Sequence, residues 1–169
     1  RFGRGDALLR RIAQIAERGD GGALLAEGSR RAAALTGGEA AHCAMHVKGL
    51  EMPGYEPRSL KTMALGLAVN PRGACHNRSG AYEADFSGAV DRLKSDAGRG
   101  ALVKASEDFN AVLDSLILCK FLRLCFDDFY AEAALLLERV TGWKYSDAEL
   151  RRAGERSSTL KKLFNIGQR

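Results

Sequence analysis

Apolar residues recur at helical spacing along most of the chain. Leu8, Ile12, Ile15 and Ala16 share one face, with Asp6 placed as an N-cap and Gly19 as the terminator. The stretch from Ala23 to Leu35 is helical too, but Gly28 interrupts it and Thr36-Gly37-Gly38 ends it, which predicts two short helices. Leu60, Met63, Ala64 and Leu67 predict a helix over 60–68, with Pro57 suited to its start. From Leu102 to Leu124 the sequence is apolar nearly all round, through Val103, Phe109, Val112, Leu113, Leu116, Ile117 and Phe121. Such a segment reads as one central, buried helix. Asp127 or Asp128 opens the next helix, with Tyr130, Ala133, Leu136, Leu137 and Val140 inward and Gly142 closing it. Ser146-Asp147-Ala148-Glu149 is a capping box that starts the last helix, whose inward residues are Leu150, Ala153, Leu160, Leu163 and Phe164. No alternating strand of useful length and no internal repeat is visible. The expectation is an all-α, irregular helical array without coiled-coil heptads. Its central Gly/Pro-rich loop region, 41–80, holds all three prolines, and a sub-boundary is expected near residues 80–100.

Composition narrows the class. With 169 residues, 46% hydrophobic and 28% charged, the chain can bury a real core. Lys120, Arg123, Asp127 and Asp128 break its most apolar stretch, so no membrane span is expected. The chain begins at Arg1 without the pattern of a signal peptide, which reads as a cytoplasmic protein whose upstream portion is missing. Four cysteines, Cys43, Cys75, Cys119 and Cys125, are too scattered for a disulfide scaffold and read as reduced thiols or metal ligands. A net charge of +5 raises the question of a polyanionic partner. Basic and acidic residues alternate, however, as in Arg139, Lys144, Asp147, Glu149 and Arg151, so no nucleic-acid partner is expected.

Three groups could carry chemistry. Asp114 sits in the most hydrophobic segment, where an unpaired carboxylate would cost several kcal/mol, so it needs a cation, backbone donors or a polar ligand. On a continuous helix Leu118 and Cys119 would lie about one turn away, within reach of one shared ligand. The structural alternative is a capping Asp beside an inert core cysteine. His76 ends the turn-prone segment Asn70-Pro71-Arg72-Gly73-Ala74-Cys75-His76 and suits general acid/base work, the alternative being a satisfied loop histidine. His42, Cys43 and His46 with Cys75 or His76 would supply zinc-type ligands, though at no standard structural zinc spacing.

The order of several motifs is more telling than any one of them. Gly22-Ala23-Leu24-Leu25-Ala26-Glu27-Gly28 is followed by His46-Val47-Lys48-Gly49-Leu50-Glu51-Met52-Pro53-Gly54-Tyr55-Glu56-Pro57-Arg58, Met63-Ala64-Leu65-Gly66 and the Asn70 to His76 segment. Asp114-Ser115-Leu116-Ile117-Leu118-Cys119-Lys120-Phe121, Thr141-Gly142, Gly154-Glu155-Arg156 and Leu163-Phe164-Asn165 complete the series. This resembles the C-terminal region of the aldehyde ferredoxin oxidoreductase family over almost the whole chain. The resemblance implies a tungsten or molybdenum bis-pterin cofactor beside an iron-sulfur cluster, oxidation of aldehydes to carboxylic acids, and electron transfer to ferredoxin. It assigns Asp114 and Leu118 to the pterin, Cys119 to the cluster as its last ligand, and His76 to the substrate pocket. The other three cluster cysteines and the first pterin-binding acidic motif are expected in an N-terminal portion or companion subunit, so this chain is expected to be inactive alone. Two other readings are a subunit of a related aromatic acyl-thioester reductase and a metal-free helical interaction module. The module reading gains if Asp114 and Cys119 are both packed against leucines.

Overall fold

A computed structural model describes residues 3–168. The chain divides into two compact units, Arg1–Met52 and Pro53–Arg169. That division lies upstream of the 80–100 stretch, inside the proline-bearing region.

In the first unit α1 (Gly5–Glu17), α2 (Gly22–Ala26), α3 (Gly28–Thr36) and α4 (Glu39–Cys43) lead to a hairpin of β1 (His46–Val47) and β2 (Leu50–Glu51). The two short helices around Gly28 are as expected. The N-cap of α1 is Arg4 and not Asp6. Asp6 lies in the first turn, where its carboxylate opposes the helix dipole and pairs with Arg4 at 2.8 Å and Arg10 at 3.1 Å. Lys48 and Gly49 both take positive φ, 52° and 82°, the requirement of a tight two-residue hairpin turn. They set the register His46↔Glu51 and Val47↔Leu50, and the Glu51 carboxylate accepts the Arg30 N–H at 3.0 Å.

The second unit holds α5 (Lys61–Val69), α6 (His76–Ser79), α7 (Tyr82–Phe86), α8 (Arg99–Ser115), a 3₁₀ turn (Lys120–Leu124), α9 (Phe129–Thr141) and α10 (Asp147–Gly167). Helix α8 is central, packing on α10, α5 and α6. Its core face, Val112 and Leu113, meets Phe129, Ala133, Ala134 and Leu150, with Phe109 set edge-on to Phe129 at 4.6 Å. The capping box at Ser146 and Glu149 forms as read from sequence, and Asp128 caps α9.

Two expectations fail, each for a physical reason. The continuous helix over 102–124 does not exist, because α8 stops at Ser115. Ile117 adopts φ 57°, its N–H bonds the Asp114 carbonyl at 3.2 Å, and the Leu118 N–H bonds the Leu113 carbonyl at 2.9 Å. These two bonds are a Schellman C-cap, made here without glycine. Leu118 is thereby turned back against the core. The second failure concerns inward faces. Leu136, Val140, Leu160, Leu163 and Phe164 are exposed, whereas Leu150, Gly154 and Ser158 form the buried stripe of α10. Small residues win that seam because a Cβ on Gly154 would stand 2.3 Å from the Asp108 carbonyl oxygen of α8. The large apolar side chains of α10 are left on its outer side.

Helix α5 starts without a cap from its own N-cap residue, Leu60. Asp85 of α7 supplies one: its carboxylate accepts the N–H groups of Thr62 (3.2 Å) and Met63 (2.8 Å), two of the orphan donors of that helix end. Buried Arg99 pairs with Asp85 at 3.3 Å and donates to the carbonyls of Asp91 (2.6 Å) and Lys94 (3.0 Å). This ties α5, α7 and α8 together and fixes the base on which the 70–80 segment rests. Among the described residues no helix is long and apolar enough to cross a membrane.

Candidate functional site

The segment between α5 and α6 is held from within. Asn70 is fully buried; its side chain accepts the Arg72 N–H at 2.9 Å and donates to the Cys75 carbonyl at 3.3 Å. From α10, Asn165 donates to the Pro71 carbonyl at 2.8 Å. Gly73, at φ 118°, makes the turn that an L-residue would resist. Cys75 is buried, and the chain then enters α6 at His76.

His76 is partly exposed, its ring 5.5 Å from that of Tyr55. Tyr55 stacks on Tyr82 at 4.8 Å, and Tyr82 lies within 3.4 Å of Arg123 on the 3₁₀ turn. Two residues after His76, Arg78 donates to the Asp114 carboxylate at 2.5 Å. Lys120 approaches the other Asp114 oxygen at 3.5 Å. The carboxylate of the apolar segment has therefore found its cations, from α6 and from the 3₁₀ turn. Its side chain remains 30% exposed and lines a small recess with Pro71, Arg78, Glu107, Ser158 and Lys161. Burial pushes the Lys120 ammonium below its ordinary pKa, while Asp114 pulls it up.

Cys119 departs from the expected geometry. It is the exposed N-cap of the 3₁₀ turn, beyond the end of α8, and so does not share a helical turn with Asp114. Ile117, Phe121 and Leu124, close to it in sequence, are also exposed. Neither Asp114 nor Cys119 is packed away against leucines. Leu118, between them, belongs partly to the core. Among the described residues no group of three His, Cys, Asp or Glu side chains is placed to hold a metal ion. Cys43 is exposed, and His46 accepts the Gly49 N–H of its own hairpin at 3.3 Å.

An open, apolar cavity of about 730 Å³ adjoins the site, lined by Pro71, Arg72, Arg78, Leu160, Leu163 and Phe164. It accounts for the outward large residues of α10. Sequence reasoning missed the Tyr55–Tyr82 stack, the role of Arg78 and the Asp85–Arg99 pair. For Arg78 and Lys120 a signal was present, since a carboxylate in an apolar segment demands nearby cations.

The carboxylate lies in the last turn of α8, the imidazole at the start of α6 and the thiol at the start of the 3₁₀ turn, all within a helical domain. Over residues 1–169 the chain matches the family described as aldehyde ferredoxin oxidoreductase, domains 2 and 3. It is 33% identical to a tungsten-containing aldehyde ferredoxin oxidoreductase of Thermococcus kodakarensis, over 98% of this chain and 27% of that protein. Enzymes of the same description from Pyrococcus furiosus and Pyrococcus horikoshii are each 32% identical over the same shares. The chain belongs to the aldehyde ferredoxin oxidoreductase family, and spans about a quarter of the length of these relatives.

Proposed function

We propose that this chain is the helical part of a tungsten or molybdenum pterin oxidoreductase that oxidises aldehydes to carboxylic acids, and that it is inactive alone. The observation that carries the reading is Asp114, clamped between Arg78 and Lys120 with part of its surface open, next to an outward thiol at Cys119. The printed description of the relatives, tungsten-containing, supports the metal.

The residues fit the groups they would hold. A carboxylate has about four acceptor positions, so Asp114 keeps capacity for pterin N–H donors after binding its two cations. Leu118, anchored in the core, fixes the main chain beside it. Cys119 offers one exposed thiolate to an iron-sulfur cluster, whose remaining ligands belong to the rest of the enzyme. When bound, the metal centre supplies two-electron redox chemistry and the cluster passes electrons singly to ferredoxin. Oxidising an aldehyde consumes one water and releases two protons and two electrons. His76 Nε2 or Nδ1 accepts a proton, and the Tyr55–Tyr82 stack shields one side of the imidazole from water.

The test is metal analysis of the chain purified anaerobically alone, and again after co-expression with the remainder of a full-length parent. Tungsten or molybdenum with iron only in the co-expressed sample supports the reading. Metal in neither sample favours a metal-free interaction module. In the full-length parent, Cys119→Ser loses the cluster's visible absorbance while the helical circular dichroism stays; a retained cluster with full activity refutes the role of Cys119.

A further inference from the structure

Because α8 ends at Ser115, helix geometry does not set the distance between Asp114 and Cys119. Something else must hold the thiol, since the turn between them is exposed at Ile117 and strained there. The residue after the thiol does so. Lys120 Nζ donates to Asn110 Oδ1 at 2.5 Å, with the Asn110 carbonyl and Asp114 Oδ1 each 3.5 Å away. Asn110 lies one helical turn before Asp114 and is buried; its Nδ2 donates to the carbonyls of Ser106 (2.8 Å) and Ser79 (3.2 Å). Ser79 ends the short helix that starts at His76 and carries Arg78, and Arg78 returns to Asp114. The contacts close a ring: Asp114, Arg78, α6, Ser79, Asn110, Lys120 and back to Asp114. Arg123 reinforces it by donating to the Lys120 carbonyl at 2.7 Å and pairing with Glu83 of α7.

A solvent-facing lysine would forfeit nothing by staying free. The Lys120 side chain is only 22% exposed, and holding an ammonium there is sustained only by these acceptors. We infer that Lys120 and Asn110 are positioning residues that hold the turn bearing Cys119 onto α8, and that the Lys120 charge, one residue from the thiol, favours the reduced state of the cluster Cys119 would ligate. The inference rests on the functional reading above. The physical basis is that cluster reduction adds one negative charge, which a cation close by stabilises.

The test uses the full-length parent with Lys120→Gln and Lys120→Arg, measuring iron and tungsten content and an EPR-monitored redox titration of the cluster. Lys120→Gln should keep both metals but lower the reduced-to-oxidised ratio at fixed potential about tenfold, about 59 mV for one electron. Lys120→Arg should restore most of that loss. A metal-replete Lys120→Gln with the parent's potential and line shape overturns the inference. Should Lys120→Gln lose its iron altogether, Lys120→Arg decides: a parent-like cluster there supports the ring, and equal loss overturns it. A parent binding neither iron nor tungsten sinks the functional reading itself, a result distinct from an unshifted titration.

Discussion

The turn that separates Asp114 from Cys119 should be stabilised by removing a side chain. Ile117 adopts φ 57°, in the left-handed region, where an L-residue costs roughly 1–2 kcal/mol and a β-branched one is least at home. Its side chain is 92% exposed, so deleting it forfeits almost no burial. Ile117→Gly relieves the strain, and the greater freedom of glycine in the unfolded chain takes back about 0.4–1 kcal/mol. The net expectation is a gain of about 0.5–1 kcal/mol. With a denaturant slope of about 1–3 kcal/mol/M, the urea midpoint of the chain should rise by about 0.2–1 M at unchanged slope. Far-UV circular dichroism reads this directly. Ile117→Ala keeps the Cβ and should gain less than glycine. An Ile117→Gly midpoint equal to or below the parent's, at the same slope, would falsify the claim that the α8 terminus is held in strain by its surroundings.

Other substitutions test the frame. Asp85→Ala leaves buried Arg99 without its carboxylate and two N–H groups of α5 without acceptors. It should cost about 3–5 kcal/mol, a fall in melting temperature of roughly 6–20 °C. Asp85→Asn, which keeps an acceptor, should cost less, and equal melting temperatures for both variants would refute the ion-pair account. Burial pushes the Glu107 carboxyl above its ordinary pKa of 4.5, against the pull of Lys162 at 2.6 Å. Because the folded value is the higher one, the unfolded chain releases its proton first, and ionisation favours unfolding. The contribution of Glu107 is therefore complete below pH 4.5 and is lost as pH rises through the folded value. Glu107→Gln should flatten the melting temperature against pH upward from 4.5; a profile parallel to the parent's would contradict this.

The linear pattern determined most of the elements and their ends. Periodicity located α1, α5, α9 and α10; Gly28 divided α2 from α3; Asp128, Gly142 and the Ser146–Glu149 box set caps that depend on residues a few positions apart. Asp114, His76 and Cys119 were legible as candidates because their residue types and motif order stand out in the sequence itself. The end of α8 was not legible, since Leu116-Ile117-Leu118 carries no glycine or proline. That break is decided by Leu118 packing into the core and by the Lys120 ammonium reaching back to Asn110. On α9 and α10 the expected inward residues hold at Ala133 and Leu150 but fail at Leu136, Val140, Leu160, Leu163 and Phe164, because a helix with apolar residues on several sides buries whichever side its neighbour can approach closely, here the stripe through Gly154 on α10. Most of all, the Arg78 cation at Asp114 and the carboxylate that caps α5 come from residues tens of positions away. Local sequence states that a buried charge needs a partner; only the folded chain, by bringing α6, α7 and the 3₁₀ turn against α5 and α8, decides which residue provides it.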